Sequence, residues 1–292
     1  MASKEIAALK KVTAVFDANK ASELSAREMN YDATPRVSRY GLCELANFDT
    51  SSEKPTMAAF FTMPLYEMNL LEYLCQYEGV QKLVRILDVA HKLVSIFKYV
   101  HCSKRTFNDL KAQNIMINTT GRPDADPEVF LIDFGFAAKY VSEAGKGHIP
   151  ETKQVEAFTG NIVFASERQM NFGATSRKDD LISLFYMLIF LLNDGSLWVG
   201  SDPTTDKQTV EQLFPAIHKW KREHDLPMIA DLLREKMVIP TSKSIREDQE
   251  QHINNFHRYL SLFAREISKI EFSEKPSYTK IKAYLAECKK AC

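Results

Sequence analysis

One stretch of this 292-residue chain constrains its fold more than any other. The string FNDLKAQN, residues 107–114, runs into the apolar triplet Ile115–Ile117, then the turn-rich segment TTGRPDADP, then a second apolar run, Val129–Ile132, and ends on Asp133-Phe134-Gly135. Two short apolar runs around Thr, Gly, Pro and Asp form a hairpin pattern. A hairpin returns the chain to its starting end. Asn114 and Asp133, which flank the two strands, are therefore expected side by side, next to Asp109 and Lys111.

That set of groups suits one kind of chemistry. Phoshoryl transfer needs an attacking oxygen and a leaving oxygen held in line, with the charge on the transferred group neutralised. Asp109 supplies a carboxylate for the attacking hydroxyl, and Lys111 a cation for the phosphate. Asn114 and Asp133 supply an amide oxygen and a carboxylate oxygen, which are ligands for magnesium, a hard ion. A lone DFG triplet recurs by chance; D-x-K-x-x-N, a hairpin-length gap and DFG in that order are far more specific.

These strings resemble the signature set of the eukaryotic protein kinases, and of the casein kinase I family in particular. YVHCSKRTFNDLKAQN (99–114) is similar to that family's passage from its long helix into the catalytic loop. GHIPETKQVEAFTGNIVFAS (147–166) is similar to its activation and substrate loops. TSRKDDLISLFYMLIFLLNDGSLW (175–198) is similar to its central helix, and IEFSEKPSY (270–278) to its late F-E-E-x-P-D-Y motif. The resemblance covers roughly residues 1–285.

The resemblance implies an α+β protein-kinase fold with an incomplete small β lobe, residues 1–66, on a full, mainly helical large lobe, residues 67–292. It implies ATP-dependent phosphorylation of protein Ser and Thr hydroxyls with Mg2+, with Asp109 and Lys111 catalytic and Asn114 and Asp133 binding the metal. Met63 would be the gatekeeper, the backbones of Leu65 and Tyr66 would face adenine, and Met116 would lie beneath it. Asp180 would brace the catalytic loop through backbone hydrogen bonds, and Glu5 matches the helix glutamate that normally pairs with a strand lysine.

The departures matter as much. No G-x-G-x-x-G occurs, and no lysine is placed to pair with Glu5 from a separate strand. The polypeptide as written is therefore expected to have little activity. Two readings stay open: a fragment of an active kinase, or a pseudokinase acting as a protein-binding module. The usual His-Arg before the catalytic Asp is Phe107-Asn108, and neutral Asn108 offers no charge to a phosphorylated loop. Asn161 and Val163 replace a Thr and an Arg; Asn161 is expected to hydrogen-bond to Asp109 or Lys111.

Hydrophobic periodicity fills in the elements. Residues 4–16 read as a helix, and Pro35–Leu45 and Met57–Met63 as strands joined by a polar turn. Asn69–Gln76 opens a helix. Val80–His101 is a long amphipathic one, with Leu83, Leu87, Ala90, Val94 and Phe97 on one face. Leu181–Leu192 has no polar face, so it is expected as a helix buried on nearly all sides. At about 12 residues it is too short for a membrane span, which needs roughly 20.

Composition excludes several alternatives. With 45% hydrophobic residues the chain is globular rather than disordered. Lys+Arg and Asp+Glu both total 38, so the net charge is zero, and a partner bound through phosphate neutralisation is not expected. Cysteines at 43, 75, 102, 288 and 292 show no metal spacing and suit reduced thiols in the cytoplasm or nucleus. The expected partners are protein substrates, with no nucleic acid and no membrane, and the chain is expected as a monomer.

Overall fold

The computed structural model describes residues 47–48, 61–62, 64–119, 121, 126–142, 147–197, 210–236 and 247–292. The expected helix over 4–16, Glu5, the strand Pro35–Leu45 and Met63 lie outside the described residues. Two short strands, β1 (Asn47–Phe48) and β2 (Phe61–Thr62), pair antiparallel. β2 falls inside the expected strand Met57–Met63, while β1 begins two residues beyond the expected end of the other at Leu45.

Past residue 66 the elements follow from local sequence. β3 (Met68–Asn69) leads into α1 (Leu70–Leu74), which starts where Asn69 and Glu72 form a reciprocal capping box. α2 (Gly79–Cys102) buries Leu83, Leu87, Ala90, Val94 and Phe97, the face expected from their spacing. It stops at Ser103, whose hydroxyl bonds back to Val100 O, and Lys104 then turns the chain at φ 62° into β4 (Arg105–Thr106).

The hairpin is β5 (Ile115–Asn118) and β6 (Glu128–Leu131), antiparallel, with Ile115 opposite Leu131 and Asn118 opposite Glu128. β3 adds to the other edge of β5, giving the sheet order β3-β5-β6. β4 pairs separately with β7 (Ala138–Lys139).

The helical part follows: α3 (Glu167–Met170), α4 (Arg177–Leu192), α5 (Val210–Glu223), α6 (Leu226–Lys236), α7 (Glu247–Lys269) and α8 (Tyr278–Lys290). α4 starts at a capping box between Ser176 and Asp179. Leu181, Leu184, Phe185 and Ile189 have no solvent exposure, and α4 packs on α2, α6 and α7. The apolar character of Leu181–Leu192 in α4 is thus explained by position: it is the post around which α2, α6 and α7 stand. α8 closes the core by packing on both α2 and α7. One buried cluster runs from Tyr66 to Cys288, so hairpin and helices share a single core.

Candidate active site

Residues 107–114 form a loop between β4 and β5 that ends in one 3-10 turn, Ala112–Asn114. The loop is fixed from below by α4. Asp180 accepts the backbone N–H of Phe107 at 2.8 Å and of Asn108 at 2.9 Å. Its Oδ2 also stands 2.7 Å from His101 Nε2, and His101 Nδ1 stands 2.7 Å from the Tyr278 hydroxyl. Asp180 braces the loop as the sequence implied. The His101 and Tyr278 links were not foreseen, although both residues lie in the strings that carried the resemblance.

The loop then presents its polar groups to one another. Lys111 Nζ donates to Asp109 Oδ2 at 2.7 Å. Asn114 Nδ2 donates to Asp109 O at 2.9 Å and to Asp109 Oδ2 at 3.0 Å. Asp109 is buried, whereas the Lys111 side chain keeps 29% of its exposure, so the carboxylate sits at the floor and the ammonium at the mouth. Since the Asn114 amide nitrogen is committed to Asp109, its oxygen is left for another partner.

The hairpin brings the strand end that carries Asp133 beside Asn114. The register Ile115↔Leu131 and the bond from Ile132 N to Asn114 O at 2.9 Å hold the two strand ends together. Asp133 takes a left-handed backbone, φ 62°, and its Oδ1 accepts from Gly135 N at 3.3 Å. Asn108 is also left-handed, φ 71°, and Asn and Asp tolerate that region best among residues with a side chain. Phe107 and Phe134, both fully buried, meet edge-on at 5.1 Å, so the apolar contact between the two strings is made by these rings.

An amide oxygen and a carboxylate fit magnesium, which is usually held by one or two protein carboxylates with phosphate and water oxygens completing its octahedron. No group of three or more His, Cys, Asp or Glu stands together among the described residues.

The adenine-side residues are placed less uniformly. Leu65 is 97% exposed, while Tyr66 is buried with its ring 4.8 Å from Phe130. Met116 is half-buried on the face of β5 opposite to buried Ile115 and Ile117.

The expectation for Asn161 is overturned. Its side-chain oxygen caps its own turn, accepting from Val163 N at 2.8 Å and Phe164 N at 3.3 Å, and it makes no bond to Asp109 or Lys111. A short side chain at a turn finds the backbone two residues on before it reaches across a cleft. Asn108 donates to Phe136 O at 3.0 Å, a neutral contact. Sequence reasoning also missed two buried side chains, Gln169 and Lys221, that bond to backbone carbonyls of the loop over 159–165. No motif announced either.

A two-stranded hairpin ending on a D-x-K-x-x-N loop and a DFG turn, braced by a buried central helix, defines a protein kinase domain. The sequence model of that family, described as the protein kinase domain, matches residues 1–283, and the chain belongs to it. Within the family it resembles casein kinase I. It is 25% identical over 230 residues to a probable casein kinase I homolog of Encephalitozoon cuniculi, covering 77% of this chain and 61% of that protein. It is 27% identical over 128 residues to casein kinase I homolog 1 of Saccharomyces cerevisiae, covering 44% of this chain and 23% of that one. A casein kinase 1-like protein of Oryza sativa subsp. japonica is 31% identical over 112 residues, 38% of this chain and 16% of the relative. The matched parts are thus less than two thirds of each relative's length. No helix among the described residues is long and apolar enough to cross a membrane.

Proposed function

We propose that this protein is a serine/threonine kinase of casein kinase I type, transferring the γ-phosphate of ATP to protein hydroxyls. One observation carries the reading: Asp109 accepts from both Lys111 and Asn114 at 2.7–3.0 Å, and a backbone bond joins Asn114 to the strand end that carries Asp133. Asp109 would orient the incoming Ser or Thr hydroxyl and take its proton at Oδ, and Lys111 at the mouth would steady the transferred phosphate. Asn114 and Asp133 would hold magnesium, which would supply charge neutralisation on the phosphate oxygens. Met63, Leu65, Tyr66 and Met116 are the proposed adenine contacts. The proposed division is a small lobe over 1–66 and a large lobe over 67–292. Protein substrates, a monomeric state and a cytoplasmic or nuclear location belong to the same proposal.

The test uses the protein isolated at its natural length, with labelled ATP, magnesium and a mixed protein substrate. Label is expected on Ser and Thr, and Asp109→Asn is expected to lower transfer by about 10²–10⁴-fold, the usual contribution of a positioned base, with nucleotide binding retained. Transfer that survives Asp109→Asn, or label on Tyr, would overturn the reading. Nucleotide or partner binding with no transfer at all would identify a binding module instead.

A further inference from the structure

The backbone of Asn108, the residue before Asp109, is held at both its N–H and its carbonyl from one region of the fold. Asp180, in the first turn of α4, accepts the Asn108 N–H. The Asn108 carbonyl accepts from Gln169 Nε2 at 2.9 Å. Gln169 lies in α3, and α3 is fastened to the same end of α4: the Ser166 hydroxyl accepts from Gln169 N at 3.1 Å and donates to Asp179 Oδ1 at 2.6 Å.

Gln169 Nε2 makes a second bond, to Thr159 O, at 2.6 Å. Its two amide hydrogens therefore join the loop that carries Asp109 to the loop that resembles the substrate loop. The two chains touch here. A Cβ on Gly160, where φ is 100°, would come within 2.2 Å of Asn108 O and 2.9 Å of Gln169 Nε2. The glycine is needed because a side chain would occupy the space that the bridge uses. Asn161, the nearest candidate for such a link by sequence, turns its oxygen to its own backbone, so it does not duplicate the bridge with that atom.

We propose that Gln169 is a positioning residue for phosphoryl transfer: its side-chain amide couples the substrate loop over 156–163 to the orientation of Asp109. The proposal rests on the kinase reading above. Gln169 is only 5% exposed and acts through the Asn108 carbonyl, one peptide from Asp109. A loose substrate loop would thus release the carbonyl that fixes Asp109, and an ordered one would set it.

The test compares the unmodified protein with Gln169→Met, which keeps the side-chain length and removes both donors, and with Lys221→Met. Lys221 Nζ bonds to Ile162 O at 2.9 Å and Ala165 O at 2.6 Å, so it supports the substrate loop without a bond to the loop of Asp109. Amide exchange is expected to quicken in both 106–110 and 156–163 in Gln169→Met, but only around 162–165 in Lys221→Met. In Gln169→Met, kcat is expected to fall about 10–100-fold, the scale of a small misplacement of a reacting group, with KM for ATP unchanged. If Gln169→Met does not fold, Gln169→Glu is read in its place. It offers a donor only when protonated, so its excess exchange over the unmodified protein should shrink as pH is lowered. Faster exchange confined to 156–163, or a lower melting temperature with kcat intact, would reduce Gln169 to a structural prop and overturn the proposal. An unmodified protein that transfers no phosphate would sink the kinase reading, while the exchange comparison would still decide whether the bridge exists.

Discussion

His101 Nε2 stands 2.7 Å from Asp180 Oδ2, with the two side chains only 2% and 1% exposed. Asp180 also accepts the backbone N–H groups of Phe107 and Asn108, so one carboxylate serves three donors or partners at once. On the other side of the imidazole lies the Tyr278 hydroxyl, whose ionisation is pushed upward chiefly by burial. The result is a continuous line from the first residue of α8 through the end of α2 and the start of α4 to the backbone just before Asp109.

Asp180→Ala is expected to destabilise the fold by about 3–5 kcal/mol, the scale for removing one partner from a buried charged network. The loss arises because two N–H groups, those of Phe107 and Asn108, are left buried without acceptors. Chemical denaturation reads it directly; a change under about 1 kcal/mol would mean that water replaces the carboxylate, contrary to its burial.

Asp133→Asn tests the metal assignment. Asp133 has only the weak 3.3 Å bond from Gly135 N to lose, so the fold should be unaffected. Magnesium-dependent nucleotide binding is expected to weaken by about 10–100-fold, the loss typical of a disturbed metal site. Calorimetric titration of ATP with and without magnesium separates the two terms, and equal affinities in both proteins would remove Asp133 from the site.

His257 on α7 sets a pH dependence. It is 3% exposed, and neither ring nitrogen has a hydrogen-bond partner among the described residues. Burial, assisted by the charge of Arg234, lowers its pKa to about 4. The unfolded chain takes up a proton near pH 6.5 that the folded chain refuses until about pH 4, so stability is lost as pH falls through that window. The loss amounts to about 3 kcal/mol at full extent. His257→Phe should lose correspondingly less between pH 7 and pH 4.5 in urea titrations. Half-buried His91, also lowered to about 4 by burial and Lys282, should leave a residual slope.

Phe172 sits where a glycine is normally found. α3 ends with Gly173 N bonding to Arg168 O and Phe172 N to Gln169 O, which places Phe172 in the left-handed position of a Schellman motif, φ 58°. A left-handed L-residue costs roughly 1–2 kcal/mol, and Phe172 is 42% exposed. Phe172→Gly is therefore expected to raise stability by about 0.5–1 kcal/mol, after allowing for the greater freedom of glycine in the unfolded chain. A lower denaturation midpoint would show that the ring contributes more by packing than its backbone costs.

Leu184→Ala, at the centre of α4, should cost about 2–5 kcal/mol, because the surrounding helices cannot close a fully buried cavity. A smaller loss in urea unfolding would mean that α4 is not the post of the core.

Local chemistry made much of this legible in advance. The hairpin around TTGRPDADP, the face of α2, the start of α1 and the buried α4 were all visible, because turn residues and periodicity act over a few residues. The grouping of Asp109, Lys111 and Asn114 was also visible, since a six-residue loop cannot spread them far apart. The two-residue strands β4 and β7 were invisible, because a period of two residues cannot show in so short a run.

The amino-acid sequence by itself therefore determined the family, the hairpin, the helix faces and the polar set at the head of the hairpin. Only the tertiary structure decided which distant groups hold that set in place. His101 meets Asp180 across 79 residues and Tyr278 across 177, and Gln169 meets Asn108 across 61. Asn161, whose oxygen accepts from N–H groups two and three residues on, satisfied itself locally instead. The physical reason is that a hydrogen bond is strong only within a few tenths of an ångström and a narrow angle. Nothing in the local pattern of a glutamine or a histidine encodes such a geometry. It exists only once the shared core has brought α2, α3, α4 and α8 to their places.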